Sequence, residues 1–284
     1  HELFVCMAST SNLSLKGVCV GNDVYKAVAD TLDVNGDSLL HVAAAFGCQN
    51  IVSNIFQRFH SSACNESEDR KIVNLKNGGS QTPFFLAACC GYHDIVRFML
   101  DSGRVDPNVA DRFGWAALYA ALDKGYPEVA SLLISDAAVD LNVSGPSGCT
   151  PLQKAIECQF DEIAEMLIVS AKDQSGVENT DDRNALRGAA CTRTRFLGSA
   201  GVNLNAVDES GQTALHCAVL GGRCEVTKLL LSNETVDVNV EDDDCMETPL
   251  HAAARRQHVG IAELLVANPK VNHNGKNGVG MTAL

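Results

Sequence analysis

The chain has 284 residues, 46% of them hydrophobic and 20% charged, a balance that excludes a disordered polymer. Aromatics are only 5% while Ala, Leu and Val abound, which suits many small, closely packed helices and suits a sheet-rich core poorly. The 35 acidic residues outnumber the 22 basic ones, giving a formal charge of −13 that repels phosphate backbones and argues against a nucleic-acid partner. A basic protein face is the natural complement. No apolar run reaches the length of about 18 residues that spans a membrane.

In chain order, residues 1–37 match no phrase well, although Asp23 to Ala29 reads as the second helix of a degenerate N-terminal cap. From Ser38 onward one phrase recurs: a Thr-like anchor, a small residue or Pro, Leu, often His, then paired alanines. The anchors are Ser38, Thr82, Ala116, Thr150, Asn184, Thr213, Thr248 and Thr282, at spacings of 44, 34, 34, 34, 29, 35 and 34. Thr82, Thr150 and Thr248 are placed to cap a helix, and Pro83, Pro151 and Pro249 follow at the first helical position, where a missing N–H costs nothing. Pairs such as Ala43-Ala44, Ala87-Ala88 and Ala252-Ala253 keep one helix face thin. Gly47, Gly91, Gly125 and Gly222, nine past their anchors, can take the left-handed conformation that ends the helix. Apolar residues at helical spacing then mark a second helix, as at Ile95, Met99 and Leu100 or at Val226, Leu229 and Leu230. V-D-x-N segments (Val105–Asn108, Val139–Asn142, Val236–Asn239) and turn residues such as Asp111, Gly114, Asp208 and Gly211 close the unit.

The copies Thr213-Ala214-Leu215-His216-Cys217-Ala218 and Thr248-Pro249-Leu250-His251-Ala252-Ala253-Ala254 carry T-P-L-H-x-A at a period near 33, and over residues 38 to 284 the chain resembles the ankyrin-repeat family. The resemblance implies an all-α solenoid of about seven units. Each would be a helix-turn-helix with a β-hairpin finger, and none could bury its face alone. Three departures are expected. The 44-residue interval holds a polar insertion near 61–71, read as an exposed loop. The repeat at 184–212 is too short for a full second helix, and so reads as an irregular joint. The stop at Thr282-Ala283-Leu284 falls inside the next copy, so the chain reads as a piece of something longer.

Chemistry is not expected. His41, His216 and His251 lie three past their anchors, a phase that predicts a structural hydrogen bond to the adjoining turn. The twelve cysteines form no C-x-x-C pair and no zinc set, and no P-loop, G-x-S-x-G or H-E-x-x-H string occurs. No enzyme activity, cofactor or metal is therefore predicted. Reduced, mostly buried thiols point to the cytoplasm. Four N-x-S/T sequons, at Asn12, Asn65, Asn142 and Asn233, keep a disulfide-bonded secreted protein as the rival.

The family resemblance also implies a contact face, made of finger tips and inner-helix ends. By phase these residues are Arg112, Phe113, Trp115, Asp123 and Lys124 in one repeat, and Asp244, Cys245, Glu247, Arg255 and Arg256 in another. Trp115, the only Trp, is either an interface anchor or packing for the neighbouring fingers, and Phe113 shares that choice. Asp242, Asp243 and Asp244 make an acidic tip that either attracts a basic partner or is simply solvated. Asn142 and Asn239 resemble asparagines hydroxylated in intracellular ankyrin proteins. The implied function is a scaffold that binds a protein. The alternatives are the targeting arm of a larger enzyme, such as a ubiquitin ligase or kinase, and a secreted protein like the ankyrin-rich spider toxins.

Overall fold

The computed structural model describes residues 33–61, 66–172 and 201–284. The expected cap at 1–37 (all but its last residues), the Asn65 sequon, and the Asn184 anchor with residues 191–200 lie outside them. The described chain divides into two compact units, with the boundary between Val139 and Asp140. Unit one contains α1 (Leu39–Ala45), α2 (Gln49–Ser61), α3 (Glu66–Val73), α4 (Pro83–Cys89), α5 (His93–Asp101), α6 (Ala117–Lys124) and α7 (Pro127–Ile134). Unit two contains α8 (Pro151–Glu157), α9 (Asp161–Lys172), α10 (Ala214–Leu220), α11 (Cys224–Leu231), α12 (Pro249–Arg256) and α13 (Val259–Ala267).

The inner helices α1, α4, α6, α8, α10 and α12 are seven or eight residues long, too short to persist alone in water. Capping starts them and stacking keeps them. The hydroxyls of Thr82, Thr150 and Thr213 accept the backbone N–H three residues on, at 3.1, 3.2 and 3.4 Å. Ala116 has no such group, and α6 starts without a side-chain cap. In unit one α1 packs on α4 and α4 on α6; in unit two α8 packs on α10 and α10 on α12. The paired alanines permit that approach: Ala43, Ala44, Ala87, Ala88, Ala252 and Ala253 are all buried. The outer helices seal the other side with Val52, Ile55 and Phe56, then Ile95, Val96 and Met99, and in unit two with Val226, Leu230, Ile261 and Leu265.

The histidines hold the repeats in register. His41 Nε2 lies 3.0 Å from the Gln81 carbonyl, His216 Nε2 3.1 Å from that of Glu247, and His251 Nε2 3.2 Å from that of Met281. In each case Nδ1 faces the backbone N–H of its own anchor. One ring thus ties its helix start to the next finger. Gln153 does the same work in the Thr150 repeat: its Oε1 accepts from Thr150 N at 2.7 Å and its Nε2 donates to the Gln212 carbonyl at 2.6 Å. Burial holds the imidazoles of His41 and His216 below their ordinary range, so they bridge in the neutral form.

Each finger turn is crossed by a backbone bond, as from Asp111 N to the Trp115 carbonyl at 3.0 Å, and among the described residues bridge pairing is confined to Lys276 and Thr282. Six of the turns also close on one side-chain oxygen; at Gly145 only the backbone bond to the Cys149 carbonyl, at 2.8 Å, does so. Asp111 Oδ1 accepts from Phe113 N and Trp115 N at 2.8 and 3.0 Å, and Asp33, Asn77, Asp208, Asp242 and Asn277 do likewise. The insertion near 61–71 is not an exposed loop throughout, because Ser61 ends α2 and Glu66–Lys71 lie in α3. Asp69 in α3 is buried, 3.6 Å from Arg104.

The short repeat expected at 184–212 lies outside the described residues as far as residue 200. The Thr150 repeat rests directly on the Thr213 repeat. Besides the Gln153–Gln212 bond, Asn142 Oδ1 accepts from Asn203 N at 2.8 Å, Glu209 N donates to the Ser147 carbonyl at 2.8 Å, and Arg223 lies 3.5 Å from Asp161. The Thr150 and Thr213 repeats are therefore direct neighbours in unit two.

Candidate protein-binding face

In unit one the finger before α6 and the end of α6 bring the expected residues together. Arg112 and Phe113 stand at the finger tip, where Asp111 fixes the backbone and Arg112 N donates to the Gly79 carbonyl of the neighbouring finger at 3.0 Å. The Arg112 guanidinium lies 4.7 Å over the Phe113 ring, and Phe113 is 62% exposed. Trp115 is placed differently. It is only partly exposed, packs edge-on against Tyr119 with ring centroids 5.5 Å apart, and lies 5.3 Å below Lys124 Nζ. Its indole N–H is buried with no acceptor. Lys124 is exposed and also meets Asp123 at 3.1 Å. Arg112 and Phe113 are thus exposed at the tip, while Trp115 packs between Tyr119 and Lys124.

In unit two the acidic tip is less open than its sequence suggests. Asp242 is buried, its carboxylate consumed by the N–H groups of Cys245 and Glu247 at 3.1 and 2.8 Å. Glu247 is also buried and accepts from Arg255 Nε at 2.9 Å. Asp243, Asp244 and Arg256 remain exposed, with Asp243 N donating to the Ser210 carbonyl of the adjacent finger. Asp242 could have been recognised beforehand, since Asp111 and Asp208 occupy the same place in their turns.

Asn142 and Asn239 are clamps. Asn142 Nδ2 donates to the Gly201 carbonyl at 3.0 Å; Asn239 Nδ2 donates to that of Lys270 at 2.8 Å while its Oδ1 accepts from Asn272 N at 2.7 Å. Asn74 and Asn205 make the same two-way contact with the following repeat. Asn74 was not singled out by the sequence, because it follows the insertion that breaks the spacing.

Burial pushes the thiols of Cys48, Cys89, Cys90 and Cys217 up, which disfavours the nucleophilic thiolate. Among the described residues no three His, Cys, Asp or Glu side chains are grouped to hold a metal, and no helix is long and apolar enough to cross a membrane.

The family model for ankyrin repeats (3 copies) matches residues 40–145, 103–181 and 185–277. The chain belongs to the ankyrin-repeat family. Among curated ankyrin relatives, it is 27% identical over 249 residues to the nuclear factor NF-kappa-B p105 subunit of Gallus gallus, covering 86% of this chain and 21% of that one. It is 30% identical over 116 residues to the neurogenic locus notch homolog protein 1 of Xenopus tropicalis (41% of this chain, 4% of that one). It is 33% identical over 81 residues to alpha-latrotoxin-Lt1a of Latrodectus tredecimguttatus (28% and 6%). The chain therefore spans a small part of these relatives' length. The solved ankyrin repeat domain of Bcl-3 shares its fold, with a TM-score of 0.61 at 23% identity over 88% of this chain and 93% of that one. Ankyrin repeats are protein-interaction modules, and the fold is typically non-catalytic.

Proposed function

We propose that the chain is a protein-binding scaffold whose contact residues in unit one are Arg112, Phe113 and Lys124, with Trp115 as their support. The observation that carries this reading is Phe113, a large aromatic left 62% exposed beneath a guanidinium on a backbone fixed by Asp111. Aromatic and Arg side chains dominate interface energies, and a tip held by hydrogen bonds needs little ordering on binding. In unit two the exposed Asp243 and Asp244 suit a basic partner, with Asp242 and Glu247 acting from within the turn. A setting inside the cell rather than a secreted one draws support from the likeness to p105, by name a nuclear factor, which runs over 86% of the chain, whereas the toxin likeness covers 28% of it. Mostly oxidised cysteines in a native thiol titration would overturn it. Asn142 and Asn239 are the positions to inspect for hydroxylation, by the mass of their peptides from cells.

The test is binding of proteins retained by the immobilised wild-type chain, repeated with Phe113→Ala and Arg112→Ala. Phe113→Ala is expected to cost about 2 kcal/mol, roughly a 30-fold weaker Kd, with unchanged helical content. Wild-type affinity in both variants contradicts the assignment of this face.

A further inference from the structure

The formal charge of −13 points to a basic partner for the chain as a whole, yet in unit one the cations stand outermost. Arg112 and Lys124 are exposed, whereas Asp111 and Asp123 are half-buried and engaged. Asp111 Oδ1 accepts from the N–H groups of Phe113 and Trp115, and Asp123 lies 3.1 Å from Lys124 Nζ. Arg112 meets no carboxylate among the described residues, and its guanidinium rests on the exposed Phe113 ring. The preceding repeat sets only small side chains beside this cluster. Its tip is Gly78, Gly79 and Ser80, and α4 ends at Cys89 and Cys90, both half-buried. Arg112 N donates to the Gly79 carbonyl, and the charges of Lys124, Asp111 and Asp123 all reach the Cys89 thiol, so the two sets share one side of the stack.

We propose that this part of unit one takes an acidic, apolar peptide segment of its partner. The proposal rests on reading Arg112, Phe113 and Lys124 as contact residues and adds the chemistry of what they contact. A carboxylate of the segment pairs with the Arg112 guanidinium, whose planar fork suits it, or with Lys124 Nζ. An apolar side chain lies against the Phe113 ring, over the small residues Ser80 and Cys90. Asp111 fixes the backbone of the tip beforehand, so little ordering opposes binding. A nucleic acid also offers anions, but a polyphosphate is repelled by the whole chain, while a few carboxylates in an apolar segment meet mainly the nearest cations.

The test is selection from a phage library of short random peptides on the immobilised full chain, followed by Kd measurements on the enriched peptides. Enriched sequences should pair Asp or Glu with Leu, Met, Phe, Tyr or Trp. The double variant Arg112→Glu/Lys124→Glu should bind them about tenfold or more weakly. Arg97→Glu, the same charge change on the outer helix α5, should bind them as the wild type does. Cys90→Phe should weaken them with no loss of helix, because Phe46 holds that place in the repeat before on nearly the same backbone, φ −105 against −97. Enriched peptides that are basic or neutral and lose affinity with Phe113→Ala overturn this chemistry and leave the contact face standing. Peptides indifferent to Phe113→Ala and to the double variant remove the face itself, as does a library that yields no binder. Single-stranded DNA bound more tightly than every selected peptide also overturns the proposal.

Discussion

Two N–H groups converge on one oxygen in finger after finger, and that geometry sets what substitution there does. Removing the oxygen with Asp111→Ala leaves the N–H groups of Phe113 and Trp115 without their acceptor, at a cost of about 1–3 kcal/mol. Asp111→Asn keeps the acceptor, as Asn77 and Asn277 do natively, and should recover most of that loss in urea unfolding. Equal destabilisation by both would mean that charge, not the acceptor, closes the turn.

The bridging histidines make a second statement at this scale, about pH. Burial lowers the imidazoles of His41 and His216 below their ordinary value of 6.5, so the unfolded chain takes up their protons first as pH falls. Their contribution is complete above pH 6.5 and is lost progressively as pH drops below it toward the folded-state values. His216→Gln copies Gln153, which bridges without titrating in this range. Its urea midpoint should fall less than the wild type's between pH 7 and pH 5, a window set by that 6.5. An equal fall in both would remove His216 from the pH response. The His phase could be read from sequence because the ring must reach the next finger from a fixed place on its helix. The role of Gln153 could not, since its phrase Thr150-Pro151-Leu152-Gln153 looks like a mere lapse from the pattern.

At the scale of the element, helix ends decide how closely repeats approach. Gly91 turns left-handed at φ +78, and a Cβ there would lie 2.4 Å from the Tyr126 ring of the next repeat. Gly91→Ala combines backbone strain with a clash and should cost about 2–4 kcal/mol. Gln257 holds the same kind of turn at φ +58 without being Gly, so Gln257→Gly should gain up to about 1 kcal/mol. Thermal unfolding of the pair checks both signs, and a stabilising Gly91→Ala contradicts the packing described. Helix starts and stops were legible because Thr, Pro and Gly act within one turn of the chain. The fingers were only partly so. V-D-x-N locates them, but not the bonds that join finger to finger, which are single ones such as Gly78 N to the Asn35 carbonyl.

At the scale of the molecule, spacing and contact carry different information. The anchor phase runs on through Asn184, while Gln153, Asn142 and Arg223 join the Thr150 repeat directly to the Thr213 repeat. Adjacency in space is decided by which faces bury, and a spacing rule cannot see that. The binding face shows the same limit. Phase selected Arg112, Phe113 and Trp115 together, but only the packing of Trp115 on Tyr119 separates support from exposed tip.

Excision of residues 173–200 tests most directly that the chain is a continuous stack of ankyrin repeats in unit two. Joining Lys172 to Gly201 makes the Thr150-to-Thr213 interval 35 residues, the spacing already present between Thr213 and Thr248. Urea unfolding followed by helical signal should then show a midpoint at or above that of the intact chain, since the shorter connection costs less to close. A large loss of helical signal, or a second transition at lower urea, would show that the excised residues are a repeat the stack requires.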